Sequence, residues 1–344
     1  MKTNQTLCCR LCAAFVGATA LLWTACEREV DFTGLLPDAV IVINGFAEAG
    51  QPVAVRVTRS WNLAEEAGDY TLRDAAVSLY INGALRPPMR FDADARPPQY
   101  TSESVARAGD RVRIVVRKDG YPEAAAETVV PAAAAPILSV DTVRFVNRNS
   151  TESMRFLIRI RDLAAGQEDY CRLIVERLPV GNGDARQSEY VAFDYDQDAA
   201  LNESFRSSSG ELLTDDPANT YGIFTDGLFD GGEYTLNIHF PLLLPDPVEP
   251  GQPRELPDAG AGQSAHGAVR QVRYIFKLAT LSPSAYLYLK SRTLYDNYGE
   301  DGYLFTEPAA IYTNVEGGLG ILGAFGTDTA GVDIPLRENE NFEY

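Results

Sequence analysis

The sequence predicts a mainly β protein, with an N-terminal immunoglobulin-like β-sandwich over 38–131 and a larger β-rich domain over 137–344 that carries one substantial helix at about 282–298. Three observations carry this expectation. Apolar and polar residues alternate in short runs, Gly-containing turns punctuate those runs, and a single segment carries both a helix start and a helix stop signal. A length of 344 residues with ordinary globular composition suits two domains, each long enough to bury its own core.

The first 25 residues are expected to be a cleaved signal. Lys2 and Arg10 supply a basic start, and Leu11 to Ala25 form an uncharged stretch too short to cross a bilayer, which needs about 20 residues. The stretch ends Leu22-Trp23-Thr24-Ala25-Cys26, which resembles the lipobox of bacterial lipoproteins, although Trp23 stands where that pattern prefers leucine. Cys26 is therefore the expected lipid-bearing first residue of the mature chain, and the alternative is ordinary cleavage after Ala18-Thr19-Ala20. Acyl chains anchor because each buried methylene contributes about 0.8 kcal/mol, and two chains hold where one only adsorbs. Residues 26–37 read as a tether, so the membrane is reached through the lipid.

Val40 to Ile43 opens the first sandwich. Val53, Val55 and Val57 alternate with Ala54, Arg56 and Thr58, and Val77, Leu79 and Ile81 alternate with Ser78, Tyr80 and Asn82, the period of half-buried strands. Asn82-Gly83 marks a hairpin, and Gly109-Asp110 and Asp119-Gly120 bracket another strand at 112–116. Strands at this spacing point to a sandwich ending near Pro131. Pro131 to Pro136 reads as a linker, because its prolines bracket alanines with little to bury.

In the second domain Met154, Phe156, Ile158 and Ile160 alternate with arginines, and further strands are expected at 170–177, 189–195, 233–240 and 269–278. The helix follows from Ser282 as N-cap, Pro283 at the first helical position and Gly299 past the end. Its face is rich in tyrosine, with Tyr286, Tyr288, Tyr295 and Tyr298. Residues 241–267, rich in proline and glycine, read as a long surface loop.

A formal charge of −18, which falls to −20 when Lys2 and Arg10 leave with the signal, repels phosphate backbones and argues against a nucleic-acid partner. Of the five cysteines, Cys8, Cys9 and Cys12 lie in the signal and Cys26 takes the lipid, so Cys171 is left without a disulfide partner and reads as a buried strand residue. With His239 and His266 as the two histidines, soft-metal sites are poorly supplied and no cofactor is implied. Gly262-Gln263-Ser264-Ala265-His266 imitates a nucleophile elbow but has His266 where glycine is required. No residue is assigned a catalytic role. Asp194, Asp196 and Asp198 have the spacing that opens an EF-hand loop, but Ala199 and Phe205 occupy its glycine and glutamate positions, which favours an acidic solvated strand face. Asp215-Asp216 and Asp226 to Asp230 offer further oxygen ligands.

Several phrases in this order, Val42-Ile43-Asn44-Gly45, Asp74 to Leu79, Ala126 to Pro131, Phe229 to Tyr234, Leu281 to Tyr288, and Glu307 to Asn314 with Gly317 to Phe325, resemble the Bacteroidota outer-membrane lipoproteins catalogued as domain of unknown function 4249. The resemblance covers nearly the whole mature chain. It transfers no catalytic residue. It implies an outer-membrane, lipid-anchored location, at the cell surface or on the periplasmic face, and the company of TonB-dependent transporters. Asp141-Thr142-Val143 and Asp328-Thr329-Ala330 also resemble the O-glycosylation acceptor pattern of exported Bacteroidota proteins, which makes Thr142 and Thr329 candidates.

The function expected from these readings is that of a non-enzymatic accessory lipoprotein that binds a ligand or supports a transporter. The helix tyrosines and the Gly317–Phe325 segment are the expected contacts, since glycine permits close backbone approach. The alternatives are a surface hydrolase of glycan or peptide, and a structural or adhesive module.

Overall fold

A computed structural model describes residues 38–61, 65, 68–147, 151–180, 188–203, 217–242, 271–298 and 310–335. The predicted alternation produces the strands. β1 (Ile41–Glu48), β2 (Pro52–Arg59), β3 (Ala76–Ile81), β4 (Ala84–Leu85), β5 (Arg90–Asp92), β6 (Gln99–Val105), β7 (Arg111–Arg117) and β8 (Ala124–Val129) come first. Asn82 and Gly83 both take positive φ, 54° and 78°, between β3 and β4, as a two-residue hairpin turn requires.

The second half holds β9 (Ile137–Val146), β10 (Glu152–Arg161), β11 (Tyr170–Val180), β12 (Glu189–Tyr190), α1 (Ala199–Glu203), β13 (Ile223–Thr225), β14 (Glu233–Pro241), β15 (Gln271–Leu281), α2 (Pro283–Tyr298), β16 (Val315–Glu316) and β17 (Leu319–Pro335). The expected strand over 189–195 ends at Tyr190, and its alternation resumes only as one bridge, Asp194 to His239. Pro241, the first residue of the expected loop at 241–267, closes β14, and the residues from 243 lie outside the described set.

The protein is mainly β, built in sandwich-like layers on one large sheet. That sheet runs β12-β11-β15-β17-β1-β2-β6-β5, with β13 paired to β11. A five-stranded sheet, β16-β8-β7-β3-β4, covers the end containing β1 and β2, and a three-stranded sheet, β14-β10-β9, covers the end containing β11 and β15. Each covered end has its own core. The first packs Ile41, Ile43, Val55, Leu79, Ile114 and Val116, and the second packs Phe156, Ile158, Phe240, Tyr274 and Phe276.

β17 is the strand the two cores share. Its first part pairs in parallel with β1, from Val42 opposite Leu319 to Glu48 opposite Phe325. Its whole second part pairs antiparallel with β15, from Phe325 opposite Leu281 to Pro335 opposite Gln271. Leu322 and Ala324 enter the first core and Ile334 enters the second. The Pro131–Pro136 stretch, read from sequence as having little to bury, also joins the second core. Ala135 is 4% exposed there, and its N–H donates to Thr280 Oγ1 at 2.9 Å.

α2 starts as expected. Ser282 Oγ accepts the Ala285 N–H at 3.3 Å as the N-cap, and also the Ala324 N–H at 3.0 Å, which ties the helix start to β17. Odd-numbered residues of β15, Ala279 and Leu281, meet the helix residues Ala285, Tyr286 and Leu289. Even-numbered residues of the same strand, Tyr274, Phe276 and Leu278, fill the second core, so α2 covers the opposite face of the large sheet. Among the described residues, no helix is long and apolar enough to cross a membrane.

Candidate functional site

Cys26 and its lipobox lie outside the described residues, as do Asp215, Asp216, Ser264 and His266. Thr142 and Thr329 are both exposed. Thr142 stands in β9, an edge strand of its sheet, opposite Phe156 of β10, and Thr329 stands in β17 opposite Lys277 of β15. Asp328, beside Thr329, is already engaged, because its Oδ2 accepts the Ile137 N–H at 2.7 Å.

The three aspartates at EF-hand spacing do not form one ligand set. Asp194 and Asp196 are exposed, whereas Asp198 is buried. Asp198 caps α1 through its Oδ1, which accepts the Leu201 N–H at 2.9 Å, while its Oδ2 accepts the Asn237 N–H at 2.7 Å. It thereby pins the α1 turn to β14. Burial pushes its carboxyl above the ordinary value, and the backbone donors at Leu201 and Asn237 oppose that rise. Asp194 instead uses Oδ1 to accept the Asp196 N–H at 2.9 Å, a local turn contact.

His239 of β14 completes this neighbourhood. Its backbone bridges Asp194 in both directions, at 2.7 and 2.9 Å. Its ring places Nε2 3.6 Å from Asp194 Oδ2 and Nδ1 3.9 Å from Asp196 Oδ1, and Phe145 of β9 meets it edge-on at 5.4 Å. Beside this group an open cleft of about 730 Å³ runs between residues 195–203 and 217–219. Its walls carry Asp196, Gln197, Asn202 and Glu203 together with Ala199, Pro217, Ala218 and Leu228, a lining of mixed polar and apolar character.

Cys171 is buried in the second core, and its thiol is pushed far above the ordinary range by burial and by the nearby carboxylates of Asp169, Asp226 and Asp162. A thiol so held stays protonated and is a poor nucleophile. Three of the α2 tyrosines make contacts within the chain, and the side chain of Tyr298 lies outside the described set. Tyr286 stacks on Tyr170 at 4.5 Å, Tyr288 meets Phe46 edge-on at 6.2 Å, and Tyr295 lies under the Arg292 guanidinium at 5.6 Å.

The glycine-rich segment expected to face a partner faces its own chain. A Cβ on Gly318 or Gly320 would run into the carbonyl oxygens of Ile41 and Ile43, and one on Gly323 would lie 2.6 Å from the Phe46 ring. The close approach that these glycines permit is therefore used up by the parallel pairing of β17 with β1 and by the seat of α2.

Sequence reasoning singled out Asp226 to Asp230 but missed their neighbour Asp162. One carboxylate oxygen from each of Asp162, Asp226 and Asp230 lies within 4.8 Å of the others. The missed signal is positional: Asp162 directly follows β10 and Asp226 directly follows β13, at the starts of the two connections that cross between the layered sheets.

The family model described as Domain of unknown function (DUF4249) matches residues 27–330. No curated protein matches the chain. Among solved structures, one described as "Putative membrane anchored protein from Corynebacterium diphtheriae" is similar at 14% identity, over 73% of this chain and 56% of that one, with a TM-score of 0.20. The chain thus spans little more than half of that protein's length, and a score this low carries no argument about fold.

Proposed function

Because the chain belongs to the DUF4249 family, matched from the residue that follows Cys26, we propose that it is a lipid-anchored accessory protein of the bacterial outer membrane. In this reading it is non-enzymatic and binds a ligand or supports a TonB-dependent transporter. The observation that carries the proposal is the coincidence of two boundaries. The family region begins at residue 27, where the apolar segment closing on Thr24-Ala25-Cys26 ends. A lipid on Cys26 would tether the layered β unit, whose first strand begins at Ile41. The ligand-binding part of the proposal is supported by the open cleft beside α1, and Thr142 and Thr329 are exposed enough to serve as O-glycosylation acceptors.

The test uses the full chain expressed from its own gene. Wild type should fractionate with the membrane and carry the mass of a diacylglyceryl group, with any glycan adding to that mass. Cys26→Ala should leave the precursor unprocessed by the lipoprotein route and free the protein from stable anchoring. A Cys26→Ala protein that is processed normally and stays membrane-bound would overturn the anchor. Affinity purification from native membranes in mild detergent should recover a TonB-dependent transporter, and recovery of the protein alone at native expression would remove the transporter from the proposal.

A further inference from the structure

The two connections that cross between the layered sheets run side by side. One joins β10 to β11 through 162–169, and the other joins β13 to β14 through 226–232. They are held together because β10 pairs with β14, with Arg161 opposite Glu233, while β11 pairs with β13, with Tyr170 opposite Thr225. Backbone bonds close the gap, from Asp162 N–H to the Gly232 carbonyl at 2.9 Å and from Asp226 N–H to the Asp169 carbonyl at 3.3 Å. Gly231, at φ +71°, brings the second connection so near the first that a Cβ there would lie 2.6 Å from the Ala165 Cβ.

This arrangement concentrates negative charge out of water. Asp162 is 6% exposed and Asp226 is 2% exposed, while Asp230 stands at the surface. Burying a carboxylate is costly unless something of opposite charge or a full set of donors compensates it. Asp162 has donors on both oxygens, the Gly231 N–H at 2.5 Å and the Ala164 N–H at 3.4 Å, and Asp230 takes the Gly166 N–H at 2.6 Å. Asp226 is different. Its Oδ1 accepts the Asp169 N–H at 3.0 Å, but its Oδ2 is buried with no hydrogen-bond partner. Burial pushes the Asp226 carboxyl above its ordinary value and the charges of Asp162 and Asp230 add to that rise, while Asp169 beside them is pushed up to about 6 by burial and by the charges of Asp162 and Asp226.

We propose that Asp162, Asp226 and Asp230 bind a hard divalent cation with the chemistry of Ca²⁺, which clamps the 162–169 and 226–232 connections together. The buried Oδ2 of Asp226, which has no hydrogen-bond partner within the protein, supplies an oxygen that a bound cation would satisfy. Three carboxylates within 4.8 Å of one another fit Ca²⁺, whose oxygen ligands lie at about 2.3–2.6 Å and so up to about 5 Å apart across the ion. The donor set is all oxygen, which disfavours zinc and copper. A site built from three protein carboxylates also disfavours Mg²⁺, which keeps most of its water. The backbone N–H groups at Ala164, Gly166, Asp169 and Gly231 orient the carboxylates, the supporting role that outer contacts play around metal ligands. The site lies about 20 Å along β14 from the more exposed Asp194, Asp196 and His239 group, since His239 stands six residue steps along the strand from Glu233.

The experiment uses the protein from residue 27 to 344 after treatment with EDTA and dialysis, titrated with CaCl₂ or MgCl₂ in a calorimeter and melted at each concentration. The expected result is one saturable Ca²⁺ site and a melting temperature that rises by about 5 °C at a hundredfold excess over Kd. Mg²⁺ should bind at least tenfold more weakly. Asp226→Asn should abolish the site, and the exposed change Asp230→Asn, which leaves the core untouched, should weaken it at least tenfold and so carries the test should Asp226→Asn misfold. The paired change Asp194→Asn with Asp196→Asn should leave the site intact. Absence of Ca²⁺ binding in wild type, binding retained at wild-type strength in either Asp226→Asn or Asp230→Asn, loss in the Asp194/Asp196 pair instead, or preference for Mg²⁺ would each overturn the proposal.

Discussion

A methyl group added at Gly320 would meet the Ile43 carbonyl, and the backbone there sits at φ +104°, a region that residues with a Cβ avoid. Both penalties act at once. Gly320→Ala should therefore destabilise the protein by about 3 kcal/mol, read as a lowered melting temperature in thermal unfolding. Gly331 provides the contrast within the same strand. Its nearest neighbours to an added Cβ are the Tyr274 carbonyl oxygen at 3.9 Å and Arg273 Cδ at 4.0 Å, and its φ is not positive. Gly331→Ala should change stability by no more than about 0.5 kcal/mol, and it can add stability by restricting the unfolded chain. Equal losses at the two positions would mean that the parallel contact with β1 is not what requires glycine at 320.

Among the elements, α2 was the most legible in the sequence and β17 the least, for opposite physical reasons. The signals for α2 are local: Ser282, Pro283 and Gly299 each act within a turn of the residue that carries them, and the observed helix runs from Pro283 to Tyr298. β17 carries Gly320, Gly323, Gly326 and Gly331, a composition that strands avoid and loops favour, and its partner β1 lies near the other end of the described chain. No local pattern reports a pairing so distant. The acidic clusters divide in the same way, since the short spacing from Asp226 to Asp230 is visible in one dimension, whereas Asp162 joins them only through the pairing of β10 with β14. The tyrosines of α2 are expected contacts by sequence, and the geometry of the helix separates its packed positions from its exposed ones. Tyr286 is buried against Tyr170, whereas Leu287 is 43% exposed on the outer face. Tyr286→Ala should cost about 3 kcal/mol in chemical denaturation, while Leu287→Ala should stay within about 0.5 kcal/mol. A large loss at Leu287 instead would place the packed face of the helix elsewhere.

At the scale of the molecule, the first core is not closed by the first 131 residues. β1 has β2 on one side and β17 on the other, β8 is flanked by β16, and Val315, Leu322 and Ala324 pack among Ile43, Val55 and Ile114. A fragment ending at residue 131 would therefore expose the hydrogen-bonding edge of β1 along its Val42 to Glu48 ladder and leave Ile41 and Ile43 partly uncovered. The shared strand also links the two cores physically, because β17 continues without interruption from the β1 ladder into the β15 ladder. Residues 38–131 alone should accordingly lack a cooperative transition, whereas residues 27–344 should unfold in one. Leu322→Ala sharpens the test. Leu322 is fully buried in the first core, and its loss should cost about 3 kcal/mol. Signals from site-specific labels on the rings of Tyr170, Tyr274 and Tyr286 report on the second core and the helix seat, whereas Tyr100 lies in the first core. If β17 couples the two cores, those signals should shift to lower denaturant together with the far-ultraviolet signal when Leu322 is shortened. Two separated transitions, with the tyrosine signals unmoved by Leu322→Ala, would show instead that each sandwich unfolds on its own and that β17 merely passes through both.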